Sequence, residues 1–246
     1  MHEVLKKKFG QNFLIDKNIL IKISNLIKKK NLRILEIGPG DGRLTEYIIN
    51  YHPKELFLIE IDKDLIGLLN KKFSDFQNVK ILNQDILKFE ILDTYDLVIS
   101  NLPYNISSQI LVKICKLKAP PKNLILMFQK EFSDRLLDKK LNSLNSLVNC
   151  FYYVKKNFDI SKNCFKPKPK INSTVLSFTR KDTLSLNFDE IEKFIEFKRK
   201  LFSHKRKTLK NILKNYINLV SNFDLSVRAE NLSLEKLIAL YKKINP

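Results

Sequence analysis

RILEIGPGDGRL, residues 33–44, decides how the chain is read. An aliphatic run from Ile34 to Ile37 is interrupted by Gly38, Gly40 and Gly42 and followed by LTEYIIN (44–50), whose apolar residues fall at helical spacing. The run has the composition of a buried strand. The glycines allow a tight turn and let a ligand approach the backbone closely. A strand, a glycine-rich loop and a helix in that order form the opening unit of a parallel sheet with crossover helices, and such loops hold nucleotides.

The same alternation continues outward from that unit. ELFLIE (55–60), VKIL (79–82), YDLVIS (95–100) and NLILMF (123–128) are further strands, separated by helical stretches such as KDLIGLLNKKF (63–73), SSQILVKICKL and QKEFSDRLL. Residues 151–178 contain two extended stretches, around YYVKKNFDI and STVLSF, joined by a loop rich in proline and lysine; this suits an antiparallel hairpin closing the sheet edge. From about 185 the pattern becomes purely helical. The expected architecture is α/β, a Rossmann-like sheet over 1–180, mostly parallel with an antiparallel edge hairpin, plus a small all-helical C-terminal domain over 185–246.

The glycine loop narrows the ligand. The dinucleotide fingerprint would place its third glycine at position 43, where the chain has Arg43, so a dehydrogenase fits poorly. Glu36 to Gly42 read E-x-G-x-G-x-G, a loop suited to the amino-acid end of S-adenosylmethionine, which has no pyrophosphate to seat on a helix terminus. Glu60 ends the second strand, at a spacing where a carboxylate can accept both hydroxyls of a ribose. Asp85, after the third strand in NQDI, can accept the exocyclic amine of an adenine.

VISNLPY (98–104) ends a strand on residues that cannot continue it, since Pro103 has no N–H for the ladder. In a doubly wound sheet the strand ends line one crevice, so Asn101, Leu102, Pro103 and Tyr104 face the group to be transferred. The adenine amine is a poor nucleophile because its lone pair is delocalised into the ring. The Asn101 side-chain oxygen and the Leu102 carbonyl can accept its two N–H bonds and localise that pair, Pro103 sets the turn, and Tyr104 offers a face for the base.

The bulk composition is that of a globular protein with a polyanionic partner. Forty-four per cent hydrophobic residues exclude wholesale disorder, and a formal net charge of +19 points to a polyanionic partner. Three cysteines without C-x-x-C spacing and three isolated histidines suggest neither a disulfide framework nor a metal site. The N-terminus has no apolar run of targeting or membrane-spanning length, so a cytoplasmic protein is expected. If 194–216 is drawn as a helix, Phe194, Phe197, Leu201, Ile212 and Tyr216 gather on one side and Arg199, Arg206, Lys207, Lys210 and Lys214 opposite. Lys198 and Lys205 fall toward the apolar side, so a break near Ser203 and His204 is expected.

FGQNFLID (9–16), EIGPGDGRLT (36–45), NQDIL (83–87), NLPYNISSQIL (101–111), QKEFSDRL (129–136), FKPKPKINS (165–173) and RKTLKNIL (206–213) together resemble the successive blocks of the adenine N6,N6-dimethyltransferases of small-subunit ribosomal RNA, from Lys6 to about Leu240. The resemblance implies a Rossmann-like class I methyltransferase fold and methyl transfer from S-adenosylmethionine to two adjacent adenosines near the 3′ end of 16S rRNA in an immature small subunit; a monomer without metal is expected. It implies cofactor contacts at Asn12, Leu14, Gly38, Glu60, Asp85 and Asn101, and a target base held between Tyr104 and Phe165. RNA docking is expected from Arg206 and Lys207, with Lys6 to Lys8 as an alternative. The macrolide-resistance methyltransferases of large-subunit RNA share the fold and the catalytic loop, and a binding-only ribosome assembly factor is a third reading. Gln109 in place of a common proline, a less arginine-rich SHKRKTL and a compact appendage depart from the family pattern in regions that concern RNA docking.

Overall fold

The computed structural model describes residues 12–90 and 95–245. Its main sheet has seven strands: β2 (Arg33–Ile37), β3 (Glu55–Glu60), β4 (Val79–Asn83), β5 (Leu97–Asn101), β6 (Asn123–Gln129), β7 (Tyr152–Ile160) and β9 (Ser173–Arg180), in the order β4-β3-β2-β5-β6-β9-β7. From β4 to β6 every neighbour is parallel, and β9 returns antiparallel to β6. The order reverses between β2 and β5, the switch point at which doubly wound sheets bind ligands. A separate antiparallel pair joins β1 (Phe13–Leu14) to β8 (Phe165–Lys166).

The central strands are apolar on both faces because helices cover both. Leu97 and Ile99 join one core with Leu20 and Ile23 of α1 (Lys17–Ser24), Leu44 and Ile48 of α2 (Arg43–Ile49) and Leu69 of α3 (Lys63–Lys72). Val98, on the opposite face of its strand, is fully buried as well, as are Ile110, Leu111 and Ile114 of α4 (Ser107–Cys115). Helix α5 (Lys130–Leu137) follows β6 directly. The strands expected from the sequence are present within two residues of their expected ends. Helix α1 is an addition: Asp16 caps it by accepting the N–H groups of Asn18 and Ile19 at 2.9 and 3.1 Å.

The chain forms two compact units, Met1–Ser133 with Val154–Arg180, and Asp134–Tyr153 with Lys181–Pro246. The second unit therefore takes 134–153, which the sequence pattern had placed in the first. The cause is α6 (Asn145–Phe151), whose Leu147, Val148, Cys150 and Phe151 are buried. Backbone bonds fix it within that unit: Lys181 and Ser185 N–H donate to the Phe151 and Cys150 carbonyls, and Leu141 N–H donates to that of Glu230. Helix α7 (Ile191–Phe202) buries Phe194, Phe197 and Leu201, and also Lys198, whose Nζ donates to the Ser143 carbonyl. The helix stops at Ser203 and α8 (Leu209–Ile212) restarts after Thr208, so 194–216 is broken where the charge pattern required it. Among the described residues no helix is long and apolar enough to cross a membrane.

Candidate active site

One cavity lies at the C-terminal ends of β2, β3, β4 and β5. Its walls include Asn12, Leu14, Gly38, Glu60, Asp85 and Asn101, together with Leu102, Pro103 and Tyr104. Residues from five segments of sequence thus meet in one place. Phe165, Arg206 and Lys207 are not among the cavity's walls.

The glycine loop is shaped by backbone conformation. Gly38 and Gly40 have φ of +65° and +63°, the left-handed region that costs an L-residue strain. A Cβ on Gly40 would sit 2.7 Å from Phe13 Cε1, so the β1 segment closes down on the loop only because no side chain is there. Ser100, just before Asn101, donates to the Ile37 carbonyl, and Gly38 N–H donates to the Ile59 carbonyl at 2.8 Å; together these register the ends of β5, β2 and β3.

Glu60 is 6% exposed. Its Oε2 accepts the Gly40 N–H at 3.1 Å and its Oε1 the Asp62 N–H at 2.9 Å. Burial pushes its carboxyl above the usual range, and these backbone donors oppose the shift. The Ile61 backbone is a third donor to this carboxylate, and the acceptor capacity that remains is on the cavity wall, where a ligand hydroxyl can donate to it. Asp85 sits on the loop after β4, where its Oδ1 accepts the Leu87 N–H at 2.9 Å, leaving Oδ2 to accept from a ligand.

Asn101 closes the site from β5. Its Nδ2 donates to the Asn12 carbonyl at 3.0 Å, which sets the orientation of the amide, and its Oδ1 makes no hydrogen bond among the described residues. Tyr104 is held by a 2.7 Å hydrogen bond between its hydroxyl and Ser173 Oγ at the start of β9, and desolvation pushes its phenol pKa up. A neutral, anchored ring on the cavity wall suits stacking.

Phe165 is placed elsewhere. Its ring is 3% exposed, lies in the core with Leu14 and Ile160, and pairs through β8 with Leu14. It is not a wall of the cavity, although its strand partner Leu14 is, and the flanking lysines and prolines of FKPKPK are more exposed. Arg206 and Lys207 are exposed in the turn between α7 and α8, in the second unit. Lys6 to Lys8 lie outside the described residues.

Two contributors did not stand out in the sequence. Glu36, 2% exposed, lines the cavity and accepts the Thr45 hydroxyl at 2.7 Å. Burial raises its pKa to about 8, and the nearby Glu60 adds to the shift. The first acid of E-x-G-x-G-x-G was the available signal. Ser173 acts through Tyr104, 69 residues away in sequence, which spacing does not reveal.

A reversed strand order, an antiparallel strand beside β6, and a buried acid at the end of the strand next to a glycine loop define a Rossmann-like methyltransferase. The chain belongs to the ribosomal RNA adenine dimethylase family, whose sequence profile matches residues 2–245. It is 43% identical over 220 residues to the ribosomal RNA small subunit methyltransferase A of Malacoplasma penetrans, covering 85% of this chain and 78% of that one. A crystal structure of a dimethyladenosine transferase from Plasmodium falciparum superposes with a TM-score of 0.81 at 28% identity, covering 95% of this chain and 97% of that one. The 23S rRNA methyltransferase ErmE shares the fold at a TM-score of 0.73 and 19% identity, with 95% and 100% of the two chains covered.

Proposed function

We propose that this chain dimethylates the exocyclic N6 of two adjacent adenosines near the 3′ end of 16S rRNA, using S-adenosylmethionine, within an immature small ribosomal subunit. The observation that carries the reading is the Asn101 amide, pinned through Nδ2 by the Asn12 carbonyl beside the buried Glu60 acceptor and the Asp85 loop. The cofactor supplies an electrophilic methyl group on a sulfonium. Glu60 holds the ribose hydroxyls, Asp85 accepts the adenine amine, the Gly38 turn lies against the amino-acid end, and Asn12 and Leu14 cover the site. On the acceptor side, Asn101 Oδ1 and the Leu102 carbonyl accept the two N–H bonds of the target amine, so the nitrogen becomes pyramidal and its lone pair, drawn out of conjugation with the ring, points at the methyl carbon. Tyr104 stacks on the base. The chain needs no strong base, since the amine becomes acidic only after it has gained its methyl group; positioning and electrostatics carry the rate.

The small-subunit assignment is supported by relatives of that name at up to 43% identity, against 19% and fold alone for the large-subunit enzyme. Glu60, Asp85 and Asn101 gathered in one cavity favour an enzyme over a binding-only assembly factor. We infer further that the reaction runs in the cytoplasm on a single copy of the chain, with the second unit contacting RNA through exposed cations including Arg206 and Lys207. The test is to incubate the protein with labelled S-adenosylmethionine and, separately, unmodified small and large subunits, then digest the RNA to nucleosides. Labelled N6,N6-dimethyladenosine from small subunits is expected. Label in large subunits alone would favour the macrolide-resistance type, and none in either would favour the assembly factor.

A further inference from the structure

The loop that presents Asp85 is held from two sides. Within the loop, Leu87 N–H donates to Asp85 Oδ1 at 2.9 Å, and Lys88 and Phe89 N–H donate to the Asp85 carbonyl at 3.0 and 2.9 Å. From outside, Lys113 Nζ donates to the Leu87 carbonyl at 3.0 Å. That carbonyl belongs to the same residue as the amide that grips Asp85. Lys113 stands in the last turn of α4, and α4 begins three residues after Tyr104, where Ser107 Oγ donates to the Tyr104 carbonyl at 2.8 Å. One short helix therefore runs from the acceptor loop to the Asp85 loop.

Lys113 itself does not line the cavity. Burial pulls its pKa below the ordinary lysine value, while the carboxylates of Asp85 and Glu90 hold its proton in place. A surface lysine on a helix costs nothing to leave in water, whereas this one is partly desolvated and directs its charge at a loop carbonyl. Such a charge-assisted bond is stronger than a neutral one, and it comes from a helix whose Ile110 and Ile114 are fully buried. On the near side of Asp85 the loop is tied to β3 by Gln84 N–H on the Glu60 carbonyl at 3.0 Å and by the buried Ile86; on the far side the Lys113 ammonium ties it to α4.

We propose that Lys113 is a positioning residue for cofactor adenine recognition: by clamping the Leu87 carbonyl to α4 it fixes where the Asp85 carboxylate points. The inference rests on the reading of Asp85 given above. Lys113 contacts neither substrate, so its effect travels through Asp85.

The test is calorimetric titration of the full chain with S-adenosylhomocysteine for wild type, Lys113→Met, Lys113→Arg, Asp85→Ala and the Lys113→Met, Asp85→Ala pair. Lys113→Met weakens binding about tenfold, the scale of one lost charged hydrogen bond, and Lys113→Arg stays within about twofold of wild type. Once Asp85 is Ala, Lys113→Met adds less than about twofold, because residues acting as a unit are not additive. In the protein without ligand, hydrogen exchange at the Leu87 amide speeds up about tenfold in Lys113→Met and not in Lys113→Arg. Effects that multiply in the pair, or an unchanged Leu87 exchange rate, would overturn the inference and leave the adenine reading standing. Unchanged affinity in Asp85→Ala would overturn both.

Discussion

The Asn101 side chain donates its Nδ2 hydrogen to the main-chain carbonyl of Asn12, 3.0 Å away and 89 residues earlier in sequence. A carboxamide has one donor end and one acceptor end, so engaging the donor decides which end remains for a ligand. The acceptor is the end an adenine amine requires. Because Asn12 supplies a backbone atom, the arrangement depends on the path of the segment before β1 and not on the Asn12 side chain.

That path also depends on Gly40. Gly40→Ala puts a methyl group 2.7 Å from Phe13 Cε1 at a φ of +63°. The expected loss is about 1–2 kcal/mol from the left-handed backbone alone, with weaker cofactor binding as β1 is displaced. Gly67 is the control: it lies inside α3, where an added methyl group would meet nothing within 4 Å, so Gly67→Ala gains roughly 0.5–1 kcal/mol. Denaturant unfolding of both variants reads the opposite signs.

Glu36 gives the protein a pH dependence. Its carboxyl titrates near 4.5 when unfolded and at about 8 when folded, raised chiefly by burial. The folded state therefore holds a proton that the unfolded state has released between those values, and stability falls as pH rises. The contribution is complete below 4.5 and lost on passing through 8. Glu36→Gln mimics the protonated form, so its stability relative to wild type rises between about pH 5.5 and 8.5. Unfolding free energies at the two pH values check this.

Phe165 is a core residue by position. Phe165→Ala is expected to cost about 3–5 kcal/mol of stability, the range for deleting a buried aromatic ring. Thermal melting measures it; a small loss accompanied by a collapse of methyl transfer would restore the ring to the base pocket.

Arg206 and Lys207 are exposed on the turn after α7. If they meet phosphates, replacing both with Ala flattens the plot of log affinity for small subunits against log salt by up to about two units and leaves cofactor affinity as it was. Binding measured across a salt series checks the slope.

The sheet was legible because its strands are aliphatic runs bounded by glycine, proline and asparagine, and buried strands have little chemical alternative. That the glycine loop, Glu60 and Asp85 line one cavity was legible because strand ends in a doubly wound sheet share one crevice. The place of Phe165 is not a local property: a position in a loop is visible in sequence, but the burial of its ring goes with pairing to Leu14, far away in the chain. Residues 134–153 were assigned to the wrong unit for a similar reason. Phe151 and Cys150 are buried by a partner that begins at Lys181, and no local pattern names it. Helix α1 went unread because KNILIKIS is short, and its existence rests on the Asp16 cap and on burial of Leu20 and Ile23.

The most direct measurement is the single-turnover rate of methyl transfer to unmodified small subunits by Asn101→Ala, at saturating cofactor. If Asn101 Oδ1 accepts from the target amine as proposed, the expected fall is about 10²–10³-fold, the scale for deleting a group that orients developing charge. Circular dichroism and melting should remain those of the wild type, since Asn101 is only partly buried. A rate within a few fold of wild type in a folded variant would contradict the account, because the pinned Asn101 amide would then have no part in activating the adenine.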